Sequence, residues 1–461
     1  MRKFFILSLT LLAGCMLGPD YKKPALDLPK NQPQDGAEIF ARPKWWEMFN
    51  DNVLNSLVEE GVQNNKDLAA ALARVEEAKA QVKITNSALF PSLDFGAQAY
   101  YGTVVINNEN VTSPVQEYTA APALSYELDL WGKNRRLSEA AKAEYFSTRA
   151  AKDLTYLVLT ASVVKTYFLI LTLDAQIEIA DDTVTADEET VKIYVERYSA
   201  GTVSNLDLQR VTADMESVRA AQINLWQQLS EAQTSLAVLL GRTPREIVER
   251  QIERGGTLDA QNLAPDVPAG IPSDILQKRP DVAEAEQQLI AANARIGAAK
   301  ADYFPNISLT GQAGYISGSL TDFVNGSNGI WNIAAGLAQP LFEGGKIRAE
   351  NKAAKAAYDE ALANYEHTVQ NAFKDVYDAV NANSYSREIY EAALKQQNAM
   401  QTSYDISNDQ FAAGLIDTIN LLDVKRNLLS ARLSLVNARY NELASAVNLS
   451  QALGGGWGEY K

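Results

Sequence analysis

Most of this chain occurs twice. Phe90-Pro91 is matched by Phe304-Pro305, and Gly132-Lys133 with Arg135 is matched by Gly345-Lys346 with Arg348. "RYSAGTVSNLDL" (Arg197–Leu208) aligns with "QFAAGLIDTINL" (Gln410–Leu421), and "AVLLG" ending at Gly241 aligns with "SQALG" ending at Gly454. The offset stays at 213 or 214 residues throughout, which marks one duplication of a large unit and not an array of small ones. Whatever one half folds into, the other must fold into as well.

Each half has the same order of patterns. An alanine-rich helical stretch (about 51–89, then about 273–303) ends at the Phe-Pro, because proline cannot continue a helix. Two alternating runs follow, predicted as strands over about 92–105 and 117–130, then about 306–317 and 330–341. A long helical pattern then turns at Ala-Gly and returns, giving helical hairpins over 133–240 and 346–452 with turns at Gly201 and Gly414. The division is a first repeat at 51–241, a Pro-rich linker at 242–272, a second repeat at 273–454 and a tail at 455–461.

Within the long patterns, Leu154, Val158, Ala161, Val164, Phe168, Leu171 and Ala175 step by threes and fours. So do Val211, Met215, Val218, Gln222, Leu225, Leu229, Ala232, Leu236 and Leu239. Such a stripe buries one helix face against neighbouring helices. A helix of about 65 residues is about 100 Å long, well beyond the globular average.

The strand runs alternate with period two. Leu93, Phe95, Ala97, Ala99 and Tyr101 share one face, and Ser92, Asp94, Gly96, Gln98 and Tyr100 the other. Tyr118, Ala120, Leu124, Tyr126, Leu128 and Leu130 repeat the pattern, as do Ile307, Leu309, Ala313 and Tyr315, then Trp331, Ile333, Ala335, Leu337 and Leu341. One apolar face, one small or polar face and aromatic ends is a weak signature of a membrane β-barrel strand. Taken singly each run reads as an ordinary half-buried hairpin, and four of them beside helices this long favour the membrane reading. Four strands cannot close a barrel, and open edges in lipid leave unpaired amides, so several chains must pool their strands. Pro122 removes a ladder donor and predicts a bulge or a strand end there.

The N-terminus carries Arg2 and Lys3, an apolar run from Phe4 to Leu12, and Leu12-Ala13-Gly14-Cys15. This reads as a secretory signal over 1–14 with lipidation of Cys15, the only cysteine in 461 residues. Met16 in place of Asp makes the outer membrane the default destination, with residues 15–50 as a tether. Loss of Arg2 and Lys3 takes Lys and Arg from 42 to 40 against 57 acidic residues, a net charge of −17. That balance argues against nucleic acid as a partner, since phosphate binding needs clustered cations. No later stretch reads as apolar for the length of a spanning helix.

In these features the chain resembles the TolC-like outer-membrane factors, most closely the lipoprotein branch that serves resistance-nodulation-division (RND) efflux pumps. The resemblance rests on Leu12–Cys15, "GPDYKKP" (Gly18–Pro24), "WWEMFND" (Trp45–Asp51), "YELDLWGKNRR" (Tyr126–Arg136), "QKRPDV" (Gln277–Val282), "QPLFEGGK" (Gln339–Lys346) and "LGGGW" (Leu453–Trp457). It implies a homotrimer with one twelve-stranded barrel, a long periplasmic α-helical tunnel, and an equatorial belt from terminal and linker segments. It also implies that the turns at Gly201 and Gly414 lie at the periplasmic tip, where an adaptor (membrane fusion) protein docks. In "GLIDTINLLD" the matching gate positions are Ile419 for an apolar ring and Asp423 for a carboxylate ring, with Asp417 a further candidate. Three carboxylates around a narrow axis would repel anions and attract cations; the alternative is that Asp417 and Asp423 are solvated residues near a helix cap. Asn420 and "VKRN" after Asp423 stand where relatives often carry Thr and "AQRS".

No catalytic constellation is legible, and the expectation is a protein that is not an enzyme. With one histidine, His367, the chain cannot build a His-based triad or a His cluster for metal. No cofactor is expected beyond the covalent lipid on Cys15. Asn110, Asn306 and Asn325 carry Asn-x-Ser/Thr, which says nothing by itself here. The function expected is a passive exit duct for drugs or other toxic compounds, driven by an inner-membrane pump. A type I secretion exit channel and a lipid-anchored coiled-coil scaffold are the alternatives.

Overall fold

The computed structural model describes residues 16–27, 40, 42–105, 112–262 and 279–455. The expected signal segment 1–14, Cys15, Asn110, linker residues 263–272, Gln277, Lys278, Trp457 and the end of the tail lie outside the described residues. The helices are α1 (Asn52–Asn64), α2 (Lys66–Ser87), α3 (Lys133–Ser199), α4 (Asn205–Leu239), α5 (Pro244–Glu249), α6 (Pro280–Ala301), α7 (Lys346–Ala412) and α8 (Thr418–Ala452). The strands are β1 (Ser92–Val105), β2 (Thr112–Glu127), β3 (Asn306–Ser317) and β4 (Gly329–Ala338). Two compact units divide the chain, the first holding Met1–Leu26, Arg74–Arg149 and Glu284–His367, the second the remainder.

All four strands belong to the first unit and form an antiparallel meander in the order β1-β2-β3-β4. Register sets Leu93 beside Leu124, Leu124 beside Gly311 and Gly311 beside Ile333. Phe95 pairs with Pro122, Ala313 with Trp331, Tyr126 with Leu309 and Ile307 with Leu337. Because side chains alternate across a strand, these residues share one face, on which Phe95, Trp331 and Ile333 are 73–80% exposed. The other face carries Ser92, Ser125 and Thr310 in one row and Asp94, Gln312 and Asn332 in another. The sheet is therefore apolar on one side and polar on the other, and Leu93, Phe95, Trp331, Ile333 and Leu337 of the apolar side are exposed.

Two strand boundaries differ from expectation. β2 runs Thr112–Glu127 in place of 117–130, and β4 runs Gly329–Ala338 in place of 330–341. β2 ends early because Asp129 is drawn away to start α3, its carboxylate accepting from the backbone N–H of Asn134 (3.1 Å) and Arg135 (3.0 Å). β4 stops before Gln339-Pro340, where proline has no donor for a ladder. The early start of β2 tolerates Pro114 because β3 pairs with β2 only from Tyr118 onward. Pro122 makes neither the expected bulge nor an end. The β1 ladder runs through it, and on the β3 side pairing skips Ala121 and Pro122 and resumes in the same register. Gly314 lies against this gap, where a Cβ would stand 2.3 Å from the Ala120 carbonyl oxygen.

The motif around Gly132 is the frame of this unit. Trp131 donates to the Pro305 carbonyl (2.8 Å) and packs on Phe304 with ring centroids 4.7 Å apart. The segment after Met16 is strapped to the frame by Arg136, whose side chain is 2% exposed. That guanidinium donates to the Leu17 carbonyl (3.1 Å), Asp20 (2.9 Å) and Glu139 (2.8 Å). Gly18, at φ +96, lies so close to Gly297 that a Cβ on it would stand 2.5 Å from the Gly297 Cα. Further along, Tyr21 and Lys23 both donate to Glu286. Ala140, Ala143, Ala291 and Ala294 are buried together, so α3 and α6 meet through alanines.

The second unit contains the turns of both helical hairpins. The expected single helical stretch at 51–89 is broken at Asn65, whose side-chain oxygen caps α2 at Asp67 N–H (2.9 Å) and Leu68 N–H (3.0 Å) while its amide donates to the Leu239 carbonyl (2.9 Å). The break makes room for Gly241 (φ +70), where a Cβ would stand 2.2 Å from the Asn64 oxygen. Trp45, Trp46, Phe49, Tyr167 and Phe168 form a buried aromatic core, with the Phe49 and Phe168 centroids 4.8 Å apart. Contrary to expectation, α3 is long and apolar enough to cross a membrane by length and composition. Its apolar window is 61% buried, however, and Val163, Val164, Phe168 and Ile170 supply core contacts.

Candidate channel gate

Both long hairpins turn through a left-handed glycine. Gly201 has φ +75 and Gly414 φ +74, and neither would meet an atom within 4 Å if it carried a Cβ. The glycine requirement is therefore conformational and not one of space. Thr202 N–H reaches back to the Arg197 carbonyl (2.9 Å) and Leu415 N–H to the Gln410 carbonyl (2.8 Å). The returning helices start on matching caps. Ser204 Oγ accepts from Asp207 N–H (3.1 Å), and Asp417 accepts from Asn420 N–H (2.9 Å).

Of the three gate candidates, then, Asp417 is the N-cap of α8. Ile419 and Asp423 lie one helical turn apart on α8, which puts them on one face. Ile419 is 41% exposed and the Asp423 side chain 61% exposed. Asp423 accepts from Arg426 at 3.4 Å. The positions 213 residues earlier are Leu206, 59% exposed, and Arg210, which reaches Asp207 at 4.0 Å. The repeats thus agree in the apolar position and differ in the sign of the charge.

The sequence reading missed what holds α8 in place. Arg426 Nε donates to Asp214 on α4 at 2.6 Å, Lys425 forms an ion pair with Asp187 on α3, and the Tyr194 and Thr418 hydroxyls are 2.9 Å apart. The hydrogen bond it donates to Asp214 holds the Arg426 guanidinium protonated above its usual range. Tyr194, Val211 and Leu422 are buried together beneath these bonds, with Phe411 packed against them. The signal was present: Asp187 lies between Val184 and Tyr194, and Asp214 between Val211 and Val218, each on an apolar stripe. A buried carboxylate needs a cation or donors, and Lys425-Arg426 provides the cations.

Among the described residues no group of three or more His, Cys, Asp or Glu could hold a metal ion, and His367 is exposed on α7. The profile of the family described as "Outer membrane efflux protein" matches the chain at 57–242 and again at 271–455. The chain belongs to that family. The efflux protein is 34% identical over 460 residues to a probable efflux pump outer membrane protein, TtgC, of Pseudomonas putida, covering 97% of this chain and 94% of the relative. It is 31% identical over 461 residues to SilC of Salmonella typhimurium, a probable outer membrane lipoprotein, covering 98% of each. The Campylobacter jejuni CmeC outer membrane channel has the same fold, with a TM-score of 0.89 at 26% identity over 97% of this chain and 96% of that one. The efflux protein is an outer-membrane channel protein, mainly helical, with a four-stranded sheet.

Proposed function

We propose that the efflux protein is the passive exit duct of a tripartite pump and works as a homotrimer whose three sheets close one twelve-stranded barrel. The observation that carries this reading is the meander itself. β1 and β4 are its edges, and its two faces are apolar and polar. Unpaired edges are untenable in lipid, so the edge of one copy must meet β1 or β4 of another. In this reading the apolar face meets acyl chains and the polar face lines the lumen. Cys15 carries a covalent lipid one residue before the strapped segment. The turns at Gly201 and Gly414 form the periplasmic tip that meets the adaptor, with an RND-type transporter below. Ile419 and Asp423 narrow the lumen there, while Asp417 serves chiefly as a cap. Native mass spectrometry of the detergent-extracted protein tests the proposal. Three chains per particle support a closed barrel, and a stable monomer would leave four strands with two open edges and overturn it. Under Cys15→Ser the protein should still require detergent, which a merely lipid-anchored scaffold would not.

A further inference from the structure

Within the second unit, the ends of α3, α4, α7 and α8 enclose a cavity of about 220 Å³ beside the gate candidates, with neither Ile419 nor Asp423 in its wall. Its walls are aromatic and aliphatic: Tyr194, Tyr404 and Phe411 with Val211, Leu421 and Leu422. Two cations reach it, Arg197 and Lys425, and no carboxylate lines it. Lys425 is matched by Asp187. Arg197 is exposed and pairs with no carboxylate among the described residues, so one positive charge at the cavity is left unbalanced. In a chain of net charge −15, an uncompensated cation beside an aromatic cavity is a specific feature.

Size and chemistry together define the occupant. A cavity of roughly 150 Å³ accepts a benzene ring, so this one has room for a single ring with a small substituent. Aromatic walls favour an aromatic guest in offset or edge-to-face contact, and a guanidinium is matched to a carboxylate. Asn408, also in the wall, offers a further amide donor. We propose that this cavity binds a single-ring aromatic carboxylate, its ring between Tyr194, Tyr404 and Phe411 and its carboxylate on Arg197. Such a ligand touches both helical hairpins at once and braces them against separation. Binding as such does not depend on the duct reading, because it takes place inside one chain.

The test uses the full-length protein in detergent with 4-fluorobenzoate, followed by fluorine NMR, and 4-fluorobenzyl alcohol as a neutral probe of the same shape. Saturable binding of the benzoate is expected, with slowed amide exchange in 190–197 and 404–425. Arg197→Gln removes an exposed cation that pairs with no carboxylate among the described residues. It should weaken benzoate binding about tenfold, the equivalent of one charge-assisted hydrogen bond, and leave the alcohol unchanged. Leu421→Trp fills the cavity and should abolish binding of both probes. Absence of saturable binding, a benzoate affinity indifferent to Arg197→Gln, or binding retained in a folded Leu421→Trp protein would each overturn the proposal.

Discussion

At the scale of single residues, the candidate gate region rests on charges placed where the apolar stripe should have excluded them. Arg426→Ala strands Asp214, whose side chain is 6% exposed, without its cation. Breaking a fully buried pair costs about 3–5 kcal/mol, but Arg426 is itself more than half exposed, so a loss of about 1–3 kcal/mol is expected in thermal unfolding. Asp423→Ala should raise single-channel conductance at neutral pH in planar bilayers, and an unchanged conductance removes Asp423 from the gate. Tyr167 gives a prediction in the second unit's core. Its hydroxyl donates to Asp51 (2.7 Å) and accepts from Gly255 N–H (2.9 Å). Burial first, and then the Asp51 carboxylate, hold the phenol well above its usual range. The folded state therefore keeps a proton that the unfolded chain releases above about pH 10, so this contribution is complete below that pH and declines as pH rises. Tyr167→Phe should be less stable by about 1–3 kcal/mol at neutral pH, because Gly255 N–H loses its acceptor. Its stability should also fall less steeply than the wild type's above pH 10, as read by unfolding at a series of pH values. The burial of Asp187 and Asp214 had a signal in the sequence but their partners did not, because a heptad stripe shows which residues are buried but not which distant cation meets a carboxylate among them.

At the scale of elements, β1 and β3 were legible to the residue because their alternation is uninterrupted and each follows a Phe-Pro. β2 was not. Pro114 argues against a strand when read locally, and it is tolerated because β3 pairs with β2 only from Tyr118 onward. The split between α1 and α2 was equally hidden, since both flanks are helical and the break follows from the close approach of Gly241. Gly314→Val is the sharpest test of the sheet. A side chain there collides with Ala120 and Ala121 of β2, and the variant should lose folded, detergent-stable protein in size-exclusion chromatography. Gly414→Ala meets no atom, so its effect should be the backbone term of about 1–2 kcal/mol for a left-handed residue, visible as a lowered melting temperature without loss of fold.

At the scale of the whole molecule, the two faces of the sheet should respond differently to the same charge. Phe95→Arg places a cation on the apolar face, where the cost at mid-bilayer is about 2–4 kcal/mol, whereas Gln98→Arg places it on the polar face at little cost. Membrane fractionation should show reduced outer-membrane yield for the first and near-normal yield for the second; equal yields would mean that the apolar face does not meet lipid. The duplication has a consequence of another kind. The two hairpins in each chain begin their return helices on equivalent caps, yet where one presents Asp423 the other presents Arg210. Three copies would thus form a sixfold ring of helices with only a threefold pattern of charge. A ring of three identical partners could meet three identical surfaces, but a ring of six would have to make two kinds of contact in alternation, each with its own response to salt.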